Sequence, residues 1–128
     1  MSGNDPEPTA AESVRREVLG DEHVDRALSD PAPEAWEFQE YLMETAWSRW
    51  TRDGLGRRER SVLTLGMTAA LGRMEEFRIH LAAALRNGVT HTELDEIVLQ
   101  IVAYCGAPAG VAARRELVAL RAAERDGA

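Results

Sequence analysis

Residues 73–96, RMEEFRIHLAAALRNGVTHTELDE, constrain the fold more than any other stretch of the chain. Phe77, Leu81, Ala84 and Leu85 recur at the i, i+4, i+7, i+8 spacing of a helix face turned to a core. Asn87-Gly88 supplies a helix stop. Thr90-x-x-Glu93 is a capping box, which satisfies two orphan amides and opens the next helix. The remaining segments carry the same punctuation. AAESVRREVL ends at Gly20, and Asp21 is placed to cap a short helix over DEHVDRALSD. DPAPE is a connector, PEAWEFQEYLMETAWSRWTR one long amphipathic helix, and DGLG a turn. RRERSVLTLGMTAALG is apolar almost all round after a basic first turn, which predicts the central buried helix. TELDEIVLQIVAYC stops at Gly106 and Pro108, and a last helix is expected from Pro108 to Glu124. No segment alternates in the manner of a strand, and there is no repeat or low-complexity tract. The chain is therefore all-α, with residues 1–9 as a disordered tail and 10–128 as a single helical domain.

The inventory of reactive groups excludes much chemistry. The 15 basic residues are all arginine. Without lysine there is no Schiff base, no covalent pyridoxal phosphate and no P-loop lysine. G+C-rich coding also favours arginine, but the exclusion holds whatever its origin. Anions are left to planar, permanently charged guanidinium groups suited to bidentate carboxylate contacts. A formal charge of −7, with no basic stripe, argues against nucleic acid as a partner. No apolar run is long enough for a bilayer. The segment MSGNDPEPTAAES has neither the basic nor the apolar region of a signal peptide. Together with a single cysteine, Cys105, these features lead to an expectation of a cytoplasmic protein.

Glu76 and His80 share one helix face, beside the buried stripe and at the edge of solvent. A carboxylate one turn before an imidazole can fix its tautomer and raise its basicity, which suits proton transfer near neutral pH; it is also an ordinary surface pair. Arg73 lies two turns before His80 on roughly the same face. A third protein ligand is lacking, so no metal is expected. Arg57, Arg58 and Arg60 oppose the macrodipole at a helix N-terminus, so at least one needs an anionic partner, either a structural carboxylate or a ligand. Cys105 is expected to be a small buried residue, His91 to be exposed, and Trp36, Trp47 and Trp50 to serve core or interface. The apolar faces exceed what an isolated monomer of this size covers, so a homo-oligomer is expected.

RREVLGDEHVDRAL, FQEYL and the block from AWSRWTRDGLG through RIHLAAALRNGVT to YCGAPAG resemble the carboxymuconolactone decarboxylase family from about residue 12 to the end. The wider superfamily includes alkylhydroperoxidase D-like proteins with a C-x-x-C-x-x-x-H motif. Laid onto His80, those cysteine positions hold Arg73 and Glu76, so disulfide chemistry has no reagent here. The resemblance implies an all-helical bundle in a trimer-based, often hexameric, homo-oligomer with active sites near subunit contacts. It also implies cofactor-free decarboxylation of 4-carboxymuconolactone, a small anionic lactone, to 3-oxoadipate enol-lactone in the protocatechuate branch of the β-ketoadipate pathway. Carried over with the motif, His80 and Glu76 become the acid–base pair. Arg58, Arg60 and Arg73 become candidate carboxylate clamps, with Trp47 and Tyr104 as walls. AWSRW, PAGV and RDGL depart from the family's usual AWG, PAAN and RPGL. These departures leave open another substrate of the same chemistry, or a non-catalytic scaffold.

Overall fold

The computed structural model describes residues 7–127. Among these are seven α-helices and no strand, as the helical period requires. The described residues fall into two compact units that divide after Gly54. Of the expected tail, residues 1–6 lie outside the described residues. Residues 7–9 have no regular structure, and the Thr9 hydroxyl accepts from Glu12 N at 3.1 Å to cap the first helix.

The N-terminal unit holds α1 (Ala10–Leu19), α2 (Asp21–Ala27) and α3 (Pro33–Thr45), followed by a 3-10 turn, Trp47–Thr51. Gly20 has φ 89 and donates back to Arg16 O, so it is both the stop of α1 and the cap of α2; Asp21, the expected cap, is the first helical residue. Arg16 ties the two helices together through Asp25 at 2.8 Å and Asp21 at 3.2 Å. The expected single helix over residues 33–52 breaks after Thr45. There the hydroxyls of Thr45, Ser48 and Thr51 bond back to the carbonyls of Tyr41, Glu44 and Ser48. Such back-bonding competes with the helical ladder, and the chain tightens into 3-10 geometry. That turn carries Trp47 into the core of the unit beside Val14, Val18 and Met43, with Trp50 stacked on it at 5.6 Å.

The C-terminal unit is four helices: α4 (Arg57–Ala70), α5 (Met74–Arg86), α6 (His91–Cys105) and α7 (Ala107–Gly127). Its core is one cluster to which every helix contributes: Leu65 and Ala69, Phe77, Leu81 and Ala84, Leu94, Val98 and Ile101, Ala113 and Leu117. Each of the larger side chains contributes roughly 1.5–3 kcal/mol by leaving water. The capping box of α6 forms as the sequence predicts, with Glu93 N donating to Thr90 Oγ1 at 3.1 Å and Thr90 N to Glu93 Oε1 at 2.9 Å. Gly106, at φ 94, turns α6 into α7. Four residues on, a Cβ at Gly110 would stand 2.1 Å from Val102, so only glycine lets the two helices close there. One expectation fails in this unit. α4 is not buried all round: Ser61, Leu65 and Ala69 face the core while Leu63 and Met67 are about half exposed. Its surroundings cover only one stripe.

Candidate active site

α5 places the central residues. Phe77, Leu81 and Ala84 anchor its inner face, and Ala83 is fully buried with them. That anchoring fixes the azimuth of the helix and sets His80 at the margin, half-buried, with Nδ1 shielded from solvent. Glu76, one turn earlier, is exposed. Arg73 is the N-cap residue: its N–H donates to Thr68 O at 2.8 Å, its carbonyl accepts from Phe77 N at 2.9 Å, and its side chain is exposed. The three residues thus share one edge of α5 in the order guanidinium, carboxylate, imidazole. The acids of the first turn, Glu75 and Glu76, also suit the positive end of the helix dipole.

The basic turn of α4 has a structural answer. Arg58 is ion-paired with Glu93, whose other carboxylate oxygen closes the capping box of α6. One acid therefore caps a helix and neutralises a cation that opposes another helix's dipole. Arg60 Nε donates to Leu55 O at 3.2 Å. Beneath them, the buried Ser61 hydroxyl accepts from Asn87 Nδ2 at 2.8 Å, binding the end of α5 to the start of α4.

Tyr104 is 82% exposed and rims a largely apolar groove of about 300 Å³ between α4 and α6. Val62, Gly66, Ile97, Gln100 and Ile101 form the rest of its wall, together with Cys105. Cys105 is exposed, against expectation: the apolar end of α6 says nothing of which side its neighbours leave open. Trp47 belongs to the N-terminal unit, where it is buried under Trp50. His91 is not simply exposed either. Its Nδ1 accepts from Arg121 Nε at 3.1 Å, its carbonyl accepts from Arg121 Nη2 at 2.8 Å, and its Nε2 faces Glu124 Oε1 at 3.0 Å. Arg121 also donates to Asp95 at 2.8 Å, which holds that carboxyl below the usual carboxylate range. Among the described residues no group of three or more His, Cys, Asp or Glu could hold a metal ion.

An imidazole at the edge of a packed helix, a carboxylate one turn away and a guanidinium two turns away can bind an acid and move a proton. Comparison with known proteins narrows this. Residues 37–119 match the family described as "Carboxymuconolactone decarboxylase family". The chain belongs to that family. A 4-carboxymuconolactone decarboxylase of Acinetobacter baylyi is 45% identical over 101 residues, covering 78% of this chain and 75% of the relative. A nitrosuccinic acid decarboxylase of Metarhizium robertsii is 42% identical over 101 residues, covering 78% of this chain and 71% of the relative. In this carboxymuconolactone decarboxylase family member, the matched segment contains the whole of α4, α5 and α6, hence every α5 edge residue described above. Among the described residues no helix is long and apolar enough to cross a membrane.

Proposed function

We propose that this chain is a cofactor-independent carboxy-lyase that converts 4-carboxymuconolactone to 3-oxoadipate enol-lactone. The observation that carries the reading is the 45% identity, across three quarters of its length, to a relative of that name. The substrate supplies its own electron sink. Its departing carboxylate stands on a carbon conjugated through a C=C bond to the lactone carbonyl. As the bond to CO₂ breaks, the electron pair runs through the C=C bond onto the carbonyl oxygen, and the resulting dienolate takes a proton at the carbon alpha to the carbonyl. The protein has to hold a dianion, stabilise the developing oxyanion and deliver one proton.

His80 delivers that proton, and Glu76 orients the imidazole or takes its place as acid. Arg73, Arg58 and Arg60 receive carboxylates, Arg58 in competition with Glu93, and Tyr104 walls the lactone ring. The working form is a trimer-based homo-oligomer in the cytoplasm. Exposed Phe38, Tyr41, Leu71 and Leu99, all more than half exposed, favour self-association.

The near-equal identity of the Metarhizium relative favours a second reading, in which this chain decarboxylates a nitro acid. A nitro group beside the departing carboxylate is likewise an electron sink, and the same proton donor would serve. Purified, chelator-treated protein is incubated in parallel with enzymatically generated 4-carboxymuconolactone and with nitrosuccinate, and CO₂ and products are followed. Turnover of the lactone supports the first reading. Turnover of nitrosuccinate alone supports the second, and CO₂ from neither overturns both.

A further inference from the structure

Among the described residues, Arg15 is the one charged side chain buried in the interior, 5% exposed. It projects from α1, flanked by the core residues Val14 and Val18. Its Nη1 donates to Gln39 Oε1 on α3 at 2.8 Å, and the guanidinium carbon stands 6.0 Å from the centre of the Trp47 ring. Its Nε is buried with no hydrogen-bond partner among the described residues. Glu12 is the acid whose field acts on it, but that carboxylate is bonded to Arg16 at 3.1 Å.

Burial lowers the Arg15 pKa from its ordinary value. A buried lysine answers such a site by losing its proton, whereas a guanidinium remains charged. A permanent cation taken out of water without an anion is among the most expensive arrangements a core can hold. One neutral amide oxygen and one indole face offset only part of that cost. The guanidinium fork therefore lacks the group it is best shaped to hold, a carboxylate.

We propose that Arg15, with Gln39 and Trp47, is a receptor for a carboxylate from outside its own unit. The nearby groove between α1 and α3, of about 320 Å³, carries Glu12, Glu40 and Glu44, which repel an anion and exclude that groove as its seat. Two sources share the required chemistry: a small carboxylic acid, or an acidic side chain of a second copy of this chain.

The full chain, ¹⁵N-labelled at arginine, carries the test, with the Arg15 Nε–H resonance assigned by side-chain correlation. Titration with succinate at constant ionic strength probes the first source, and dilution through the association range probes the second. A saturable shift with succinate, unmatched by chloride, identifies a small acid. In that case Arg15→Met should bind succinate about 10- to 100-fold more weakly by calorimetry. A shift on dilution identifies the second copy, and Arg15→Met should then weaken association by the same factor. In either case, ligand-free or monomeric Arg15→Met should melt no lower than wild type, because an unpaired buried charge has been replaced by an apolar chain of similar size. A resonance that neither succinate nor dilution moves would mean that Gln39 and Trp47 satisfy Arg15, and the proposal would fall. The resonance decides this even if the variant does not fold. No readout uses turnover, so the result is independent of the decarboxylase reading.

Discussion

His80 and His91 stand on successive helices of the same four-helix unit, and each has a carboxylate one turn away in sequence: Glu76 before one, Asp95 after the other. Their surroundings differ in kind. The His91 ring is held on both nitrogens by side chains of α7, and Arg121 reaches its carbonyl as well. An imidazole clasped in this way has its hydrogen-bonding capacity taken up in joining α6 to α7. His80 sits on the helix margin set by Phe77, Leu81 and Ala84, with Nδ1 turned away from water and an exposed carboxylate one turn before it. Sequence spacing alone makes the two pairs look equivalent. What marks His91 is that α7 clasps its ring on both nitrogens, whereas His80 is placed at the margin of α5 by the packing of its own helix.

The largest effect that can break this contrast is catalytic. His80→Gln keeps the size and hydrogen-bonding character of the side chain but cannot titrate near neutral pH. Its kcat on 4-carboxymuconolactone should fall by about 10²- to 10⁴-fold, or roughly 3–5 kcal/mol of barrier. The melting temperature should stay within about 4 °C of wild type. Glu76→Gln should lose less, about tenfold, and displace the pH profile of kcat, because it acts on the imidazole's orientation and basicity. Near wild-type turnover in both variants would make this pair as structural as the other.

Between catalysis and structure stands Arg58, which the sequence left open between a structural carboxylate and a ligand. Its pair with Glu93 is 42% and 40% exposed, so breaking it costs less than about 1 kcal/mol in stability. Arg58→Met should therefore be nearly as stable as wild type yet raise KM about tenfold if it also receives a substrate carboxylate. Glu93→Ala removes the cap as well as the ion pair and should cost about 1–2 kcal/mol in unfolding. A KM indifferent to Arg58→Met would leave Arg58 to the capping acid alone.

How far the sequence reached follows the range of the interactions involved. Helix number and class were legible because period and punctuation are local: Gly20, Asn87-Gly88, Thr90-x-x-Glu93 and Gly106 mark their boundaries within a few residues. The α5 edge was legible for the same reason, since Arg73, Glu76 and His80 lie on one helix. Arg58–Glu93 spans 35 residues and Arg121–His91 spans 30. No helical period predicts which carboxylate meets which guanidinium at that distance. Exposure of Cys105 and of one side of α4 failed likewise, because an apolar stripe shows what can be buried rather than what is covered. Burial of Arg15 ran against composition altogether. The hydroxyl-rich stretch after Thr45 did hold a local signal for the helix break, but it was outweighed there by the amphipathic pattern.

His91 tests the other half of the comparison with a smaller effect. His91→Ala strands Arg121 Nε and Glu124 at the α6–α7 contact, where His91 is partly exposed. About 1 kcal/mol of stability should be lost, read as a lowered urea midpoint with unchanged slope. Turnover should be unaffected. A loss of kcat comparable with that of His80→Gln would erase the distinction between the two histidines.

The smallest effect is a pH dependence at Asp95. Arg121's hydrogen bond, the largest cause, holds the Asp95 carboxyl below its usual range. The ionised form is thus favoured in the folded chain relative to the unfolded one, where the value returns to about 3.9. A depressed folded-state pKa contributes stability that is fully present above the unfolded value and is lost as pH falls through the folded one. Wild type should therefore melt slightly above Asp95→Asn at pH 7, and the gap should close as acid takes the solution below pH 3.9 and through the depressed value. The carboxylate is more than half exposed to solvent, so added salt should narrow the gap at neutral pH as well. A gap that persists undiminished in strong acid would mean that Asp95 supports the α6–α7 contact by packing rather than charge, and the electrostatic account of the His91 cluster would fail.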